Sequence, residues 1–208
     1  MKRLAIVGAG GHGSVVADAA LAAGWESVVF FDDAWPDLTS VGPWTVAGRS
    51  ADLVRDATRF AGVVVAIGEN AVRLAKLREL SGRGVAIVSI VHPSAVVSPH
   101  AVLGAGCVVF AGAVINPFAQ LGAGCIVNTS ASVDHDCRLA DGVHVSPGAH
   151  LGGGVTVGES TWIGMAASVK QCVRVGERVV VGAGAAVVAD VPDGLTVVGV
   201  PARPMVRQ

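Results

Sequence analysis

From Val91 the chain carries an aliphatic residue at every sixth position without a break: Val91, Val97, Leu103, Val109, Ile115, Leu121, Val127, Val133, Leu139, Val145, Leu151, Val157, Ile163, Val169, Val175, Val181 and Val187. The residue four places after each is small or β-branched, from Ala95, Ala101 and Cys107 through to Ala185 and Val191. Helices repeat near 3.6 and half-buried strands at 2, so neither produces this pattern. A hexapeptide repeat is the signature of a parallel β-helix, in which each flat face sends one aliphatic residue to the axis. Gly or Asn recurs just after the aliphatic position, as at Gly104, Asn116, Gly122, Asn128 and Gly152. These residues are expected to supply the positive φ of tight corners. Three hexads per coil predicts five to six coils with no long inserted loop.

The first 90 residues have a different rhythm. Leu4 to Val7 reads as a strand, Ser14 to Ala23 as a helix stopped by Gly24, and Val28 to Phe31 as a second strand. A weak strand near Trp44 to Val46 and a helix over Ala51 to Thr58 follow. Val63 to Ile67 is a buried strand, Asn70 to Leu80 a helix, and Val85 to Ile90 closes the pattern. Alternating β and α at this spacing implies a small parallel sheet with helices on its faces. The expected organisation is therefore an α/β domain over residues 1–90 and an all-β domain over residues 91–208.

Composition narrows the function classes. The net charge is −1, with 15% of residues charged and 52% hydrophobic. A nucleic-acid binder needs a clustered basic excess, which is absent. Mean hydropathy is +0.61, but the longest run of apolar residues and glycine between Arg83 and Asp134 is the 15 residues Ala101 to Ile115. A spanning helix needs roughly 20. Met1-Lys2-Arg3 leads into a strand with no cleavage site after it, so neither a signal peptide nor a membrane segment is expected. The location expected is cytoplasmic. Cys107, Cys125 and Cys137 occupy the small hexad position and read as core filler. Cys172 falls outside that register. Four cysteines without metal or redox spacing fit a reducing compartment.

Two constellations carry chemistry. Gly8-Ala9-Gly10-Gly11-His12-Gly13 matches G-x-G-x-x-G between a strand and a helix, and Asp32 ends the next strand. Such a loop lets backbone approach a pyrophosphate, with an acid for the ribose. A half-domain of about 90 residues lacks the second mononucleotide half, which favours a nucleotide-diphosphate sugar over NAD. Gly68-Glu69-Asn70 follows another strand at the same edge, to complete a pocket or cap a helix. The second constellation is Asp134-His135-Asp136. His135 lies off both buried hexad positions and should face outward. An imidazole beside a carboxylate has a fixed tautomer and raised basicity, as a general base needs. His144 and His150 are six apart and fall on successive faces, so a zinc site from His135, His144 and His150 is disfavoured. Trp162, outside the core register, is a candidate for a subunit interface.

Together with Phe31-Asp32-Asp33, Ile67-Gly68-Glu69-Asn70, Val91-His92-Pro93-Ser94-Ala95, Asn128-Thr129-Ser130, His144-Val145-Ser146 and Gly199-Val200-Pro201-Ala202-Arg203, these motifs make the chain resemble a known family. It resembles the bacterial sugar acyltransferases that join a small Rossmann-like domain to a left-handed β-helix. Members include sialic acid O-acetyltransferases and N-acetyltransferases of nucleotide-linked 4-amino-sugars. The resemblance implies acetyl-CoA as cosubstrate, no metal, a nucleotide-sugar acceptor, a homotrimer and a role in surface glycan biosynthesis. It implies His135 as the general base and Asp136 as the acid that orients it; some members carry Glu there. It places His144, Gly153, Gly164, Met165, Gly182 and Ala183 along acetyl-CoA. It assigns Gly10, Gly11, His12, Gly13, Asp32, Asp33 and Gly68 to the nucleotide-sugar pocket. Acceptor amine or hydroxyl stays open, and no serine or cysteine beside a base argues for an acyl-enzyme. An NAD-dependent oxidoreductase and a β-helical carbonic anhydrase each explain only part of the pattern.

Overall fold

Strands of nearly continuous apolar sequence form the centre of the N-terminal unit. β1 (Arg3–Val7), β2 (Ser27–Phe31), β3 (Ser40–Val41), β4 (Trp44–Gly48) and β5 (Gly62–Val65) form one sheet in the order β3-β4-β2-β1-β5. Every pair is parallel except the β3–β4 hairpin. Leu4, Ala5, Ile6, Phe30 and Val64 are fully buried, as expected for a sheet covered on both faces. The helices are α1 (Gly11–Ala22), α2 (Ser50–Asp56) with a short 3-10 turn after it, and α3 (Asn70–Gly82). The structure, a computed structural model, describes residues 2–205. Met1 and the last three residues of the tail lie outside the described residues. By its internal contacts the chain divides into two units, Met1–Pro93 and Ser94–Gln208.

Two expectations for the first unit need correction. Helix α1 begins at Gly11, not Ser14, because the Ser14 amide already donates to the Gly10 carbonyl at 3.1 Å. The glycine loop is thus the helix's first turn. Val85 to Ile90 is not a full strand: a single bridge pairs Ile87 with Val63, and only Ile90–Val91 is extended in a ladder. Ala86 is exposed and residues 87–89 are half-buried, so this stretch lacks the two-sided burial of the central strands.

In the second unit, parallel partners lie three hexads apart, as in Val114↔Ser132, Ser132↔His150, His150↔Ser168 and Ser168↔Ala186. Three hexads therefore close one coil, and two-residue strands stack into three faces. The first face carries Ile126–Val127, His144–Val145, Trp162–Ile163 and Val180–Val181. The second carries Val114–Ile115, Ser132–Val133, His150–Leu151 and Ser168–Val169. The third carries Gln120–Leu121, Arg138–Leu139, Thr156–Val157 and Arg174–Val175. Aliphatic positions from Val109 to Val187 are buried along the axis. The small positions hold a further device. Cys107, Cys125, Cys137 and Thr161 each donate to a carbonyl of the following coil, at Gly122, Ala140, Gly152 and Gly176 respectively. Alanine and valine fill the same position elsewhere in the stack, so the three cysteines are small core residues whose thiols also tie one coil to the next.

The corner glycines act differently from expectation. Positive φ falls on the third residue after the aliphatic position, as at Gly106, Gly124, Ser130 and Asp136. Gly104 and Gly122 lie just after the aliphatic residue, and neither has positive φ. A Cβ on Gly104 would lie 2.6 Å from the Gly122 carbonyl carbon, and one on Gly122 2.7 Å from the Asp141 amide. These glycines let successive coils approach; the third-position residues turn the corner. The repeat also shortens after Val187. Val191 bridges Val175 and Val197 pairs with Val181, each spacing falling short of three full hexads. Val191 therefore occupies an aliphatic position of the third face, not the small position its spacing suggested.

Candidate active site

In the N-terminal unit the glycine loop leaves β1 and opens α1. Gly8 has φ +104, and a Cβ there would lie 2.7 Å from the Ala66 carbonyl oxygen. A Cβ at Gly13 would run into the Gly8 carbonyl. Gly10, Gly11 and Gly68 face open space, so backbone is accessible where a phosphate would sit. Asp32 Oδ2 accepts from the Ala9 amide at 2.7 Å and Oδ1 from the Ala34 amide at 2.9 Å. Expected as a ribose acid, this carboxylate also holds the loop's shape. Asp32 and Asp33 line a cavity of about 120 Å³ with Gly8, Ser50, Ile67 and Lys76. The Ser50 hydroxyl donates to Asp33 at 2.7 Å and holds its carboxyl below the usual range.

His12 is half-buried in the first turn of α1. Burial and then the Arg73 guanidinium push its pKa down to about 4. His12 is therefore neutral at physiological pH and offers a hydrogen bond without a charge. Sequence reasoning missed Arg73. Its guanidinium is buried, donating to the Ile67 and Gly68 carbonyls and to Asn70 Oδ1. It fastens the second loop, while Glu69, not Asn70, caps α3 by accepting from the Ala71 and Val72 amides. Arg73 sits four residues after Glu69, the one sequence signal that it packs back on its own helix start.

In the β-helix, His135 lies on the corner after the second face, exposed as its register requires. Its two acidic neighbours hold it. Its backbone N–H donates to Asp134 Oδ1 at 2.8 Å, and that oxygen also accepts from Asn116 Nδ2 at 2.7 Å. Its ring Nδ1 lies 2.8 Å from Asp136 Oδ2. A Cβ placed on Gly153 would lie 2.5 Å from Nε2, so the ring leans over a residue that has no side chain. Asp136 keeps the proton on Nδ1 and leaves Nε2 as the basic atom. The Asp136 hydrogen bond, and then the Asp134 charge, raise the His135 pKa above its ordinary value.

A second site lies on the first face. His144, Ser146, Pro147, Trp162, Gly164, Met165, Val180, Gly182 and Ala183 line an apolar cleft of about 360 Å³. Five residues assigned to acetyl-CoA by resemblance meet there; Gly153 does not, lying beside His135 instead. His144 stacks on Trp162 with ring centroids 5.4 Å apart and 7° between planes. Trp162 Nε1 donates to Ser146 Oγ at 2.6 Å. Asn128 Oδ1 accepts from the Thr129 amide, which turns Nδ2 toward His144 Nε2 at 3.2 Å. That arrangement puts the His144 proton on Nδ1. Trp162, expected at an interface, walls this cleft. Among the described residues no group of three or more His, Cys, Asp or Glu is placed to hold a metal ion. No helix among them is long and apolar enough to cross a membrane.

Comparison with known proteins places this geometry. Residues 3–80 match the PglD N-terminal domain. The acetyltransferase domain of PglB from Neisseria gonorrhoeae FA1090, in complex with acetyl coenzyme A, is 43% identical with a TM-score of 0.94, over 98% of this chain and 99% of that one. The chain belongs to the bacterial sugar N-acetyltransferases. A variant of perosamine N-acetyltransferase from Caulobacter crescentus, in complex with CoA and GDP-perosamine, is 38% identical over 98% of this chain and 97% of that one, with a TM-score of 0.94. UDP-N-acetylbacillosamine N-acetyltransferase of Bacillus subtilis (strain 168) is 39% identical over 120 residues, and the match spans 53% of this chain and 52% of that protein's length. This sugar N-acetyltransferase thus shares an α/β unit followed by a β-helix with relatives described in complex with coenzyme A.

Proposed function

We propose that the protein transfers acetyl from acetyl-CoA to the 4-amino group of a nucleotide-diphosphate-linked amino-sugar, within surface glycan biosynthesis. The observation that carries the reading is His135: Nδ1 held by Asp136, Nε2 free to accept a proton, and the ring clear of any side chain at Gly153. In this reading the neutral amine attacks the thioester carbonyl, its proton passes to His135 Nε2, and the carbon–sulfur bond breaks to expel CoA thiolate, which takes that proton back from the imidazolium and leaves as the thiol. Asp136 stabilises the imidazolium that forms. The apolar cleft beside His144 and Trp162 receives the pantetheine arm. The open amides of the glycine loop receive the diphosphate, and neutral His12 adds a hydrogen bond there. Relatives described with acetyl coenzyme A and with GDP-perosamine support both halves of the assignment.

The same reading calls for more than one copy of the chain. His135 follows the second face, whereas the cleft lies on the first face and the corner before the second. The two stand at opposite edges of the second face. A homotrimer that sets one copy's cleft against its neighbour's His135 corner would complete the site. The test is release of free thiol from acetyl-CoA, with nucleotide 4-amino-sugars, their 4-hydroxy counterparts and sialic acids offered in parallel. Release with the amino-sugar alone, lost in His135→Ala, supports N-acetylation. Release with a hydroxyl acceptor in its place overturns it.

A further inference from the structure

Phe118 occupies the same corner as His135 and Asp136, one coil earlier. The corner recurs once per coil, so Pro117 underlies His135 and Phe118 underlies Asp136; the Asp136 amide donates to the Pro117 carbonyl at 3.2 Å. Phe118 takes the third corner position with φ +64. Glycine accepts that backbone freely, and a bulky side chain there is an outlier. The remaining non-glycine residues at this conformation are Ser, Asp, Ala, Cys and Arg, so Phe118 is the aromatic one among the described residues. The residue is 59% exposed, so core burial does not repay the strained backbone. One neighbour orders its ring: His100, whose ring lies 5.8 Å away and tilted by 31°. Strain kept beside a reactive group is a mark of function.

Resting on the reading above, we infer that the Phe118 ring, ordered by His100, is the platform on which the acceptor's sugar ring lies while its amine meets His135. A pyranose has an apolar face of C–H groups rimmed by hydroxyls. An exposed aromatic face complements it, and the polar rim stays in water. Coils stack about 4.8 Å apart, so a hexose ring resting on the Phe118 coil has its substituents within reach of the next coil, where His135 stands. His135 abstracts the proton and Phe118 orients the ring that bears it. Phe118 is therefore a positioning residue for the acceptor alone.

Steady-state kinetics on the whole chain test this. Phe118→Ala and Phe118→Leu are expected to raise KM for the nucleotide amino-sugar about tenfold, the size of one lost aromatic contact. KM for acetyl-CoA and kcat should stay within about twofold, and Phe118→Trp should restore acceptor KM. Phe118→Gly should raise acceptor KM equally while the thermal midpoint holds or rises, because glycine relieves the backbone. A merely structural ring predicts the reverse: a lower midpoint and unchanged acceptor KM, which would overturn the platform. A shift to a smaller species on size exclusion in Phe118→Ala would assign the ring to a contact between copies and also overturn it. If wild type itself acetylates no amino-sugar, the proposed function fails and the platform with it. If wild type turns over and Phe118→Ala matches it, the platform alone fails.

Discussion

His12 and His135 are both imidazoles in sequence motifs, and their surroundings drive them in opposite directions. His12 is half-buried under the glycine loop near a buried arginine, and its pKa falls to about 4. His135 stands in water between two carboxylates, and its pKa rises. In the proposed reaction the first, held neutral, recognises a ligand next to phosphates, and the second picks up a proton. The difference comes from the fold: a helix N-terminus over a packed sheet buries its second residue, whereas a β-helix corner puts its second and third residues outside. The first prediction strikes at this contrast. His135→Ala is expected to lower kcat about 10²- to 10⁴-fold, the usual range for a lost general base. The thermal midpoint should not move, since the side chain is 61% exposed. His12→Ala should instead raise acceptor KM and leave kcat largely in place. Thiol-release kinetics with a thermal melt on both variants check this, and a matching kcat loss in both would erase the distinction.

The next largest effect concerns how the exposed histidine is held. Gly153→Ala puts a methyl 2.5 Å from the present position of Nε2. The ring must swing away, and an error of about 1 Å at a reacting atom costs about 10²-fold. The expected result is that loss in kcat, with acetyl-CoA affinity by calorimetry unchanged. A parallel loss of acetyl-CoA binding would return Gly153 to the donor site that the resemblance assigned to it.

How far each region was legible follows from the same contrast. The β-helix core could be read almost residue by residue, because a six-residue period has no competing explanation and burial at Val109 to Val187 follows from it. His135 could be placed outside by subtraction. What could not be read were effects between coils. The glycines after the aliphatic positions serve close stacking, not positive φ, and a sequence does not display the backbone of the adjoining coil. The shortened last coil hid for the same reason, since Val191 satisfies either position. In the α/β unit the glycine fingerprint was plain, but Arg73 was not. A basic residue inside an amphipathic helix ordinarily faces water, and its burial rests on partners the sequence does not display, among them two loop carbonyls and the Asn70 side chain. The chain from Asn128 through His144 and Trp162 to Ser146 crosses between coils and was likewise invisible.

A smaller effect sharpens the role of the glycine loop. Asp32→Ala removes the acceptor for the Ala9 amide and frees the loop. Acceptor KM should rise about tenfold, the low end of the about 1.5–3 kcal/mol that losing a hydrogen bond to a charged group costs. The donor's KM should not change. Asp32→Asn, which keeps one oxygen, should fall between wild type and Asp32→Ala. Equal weakening of both substrates would separate Asp32 from the acceptor pocket.

The smallest effect is a displacement along the pH axis. His135 must be neutral at Nε2 to accept a proton, so kcat/KM should fall on the acid side as the ring protonates. Because the folded pKa is raised, that limb lies above the ordinary histidine value of 6.5. Asp136→Asn removes the larger cause and Asp134→Asn the smaller, so both limbs should move to lower pH, the first further than the second. The two variants separate position from charge. Asp136→Asn also frees the ring and should lower the plateau, whereas Asp134→Asn keeps the Asp136 contact and should shift the limb with little loss of plateau. Stability runs the other way: a raised histidine pKa contributes below the unfolded value and is lost as pH rises through the folded one. For a side chain this exposed, thermal midpoints of the two variants across pH should show little difference. A limb that stays fixed in Asp136→Asn would mean that the titration belongs to the acceptor amine and not to His135.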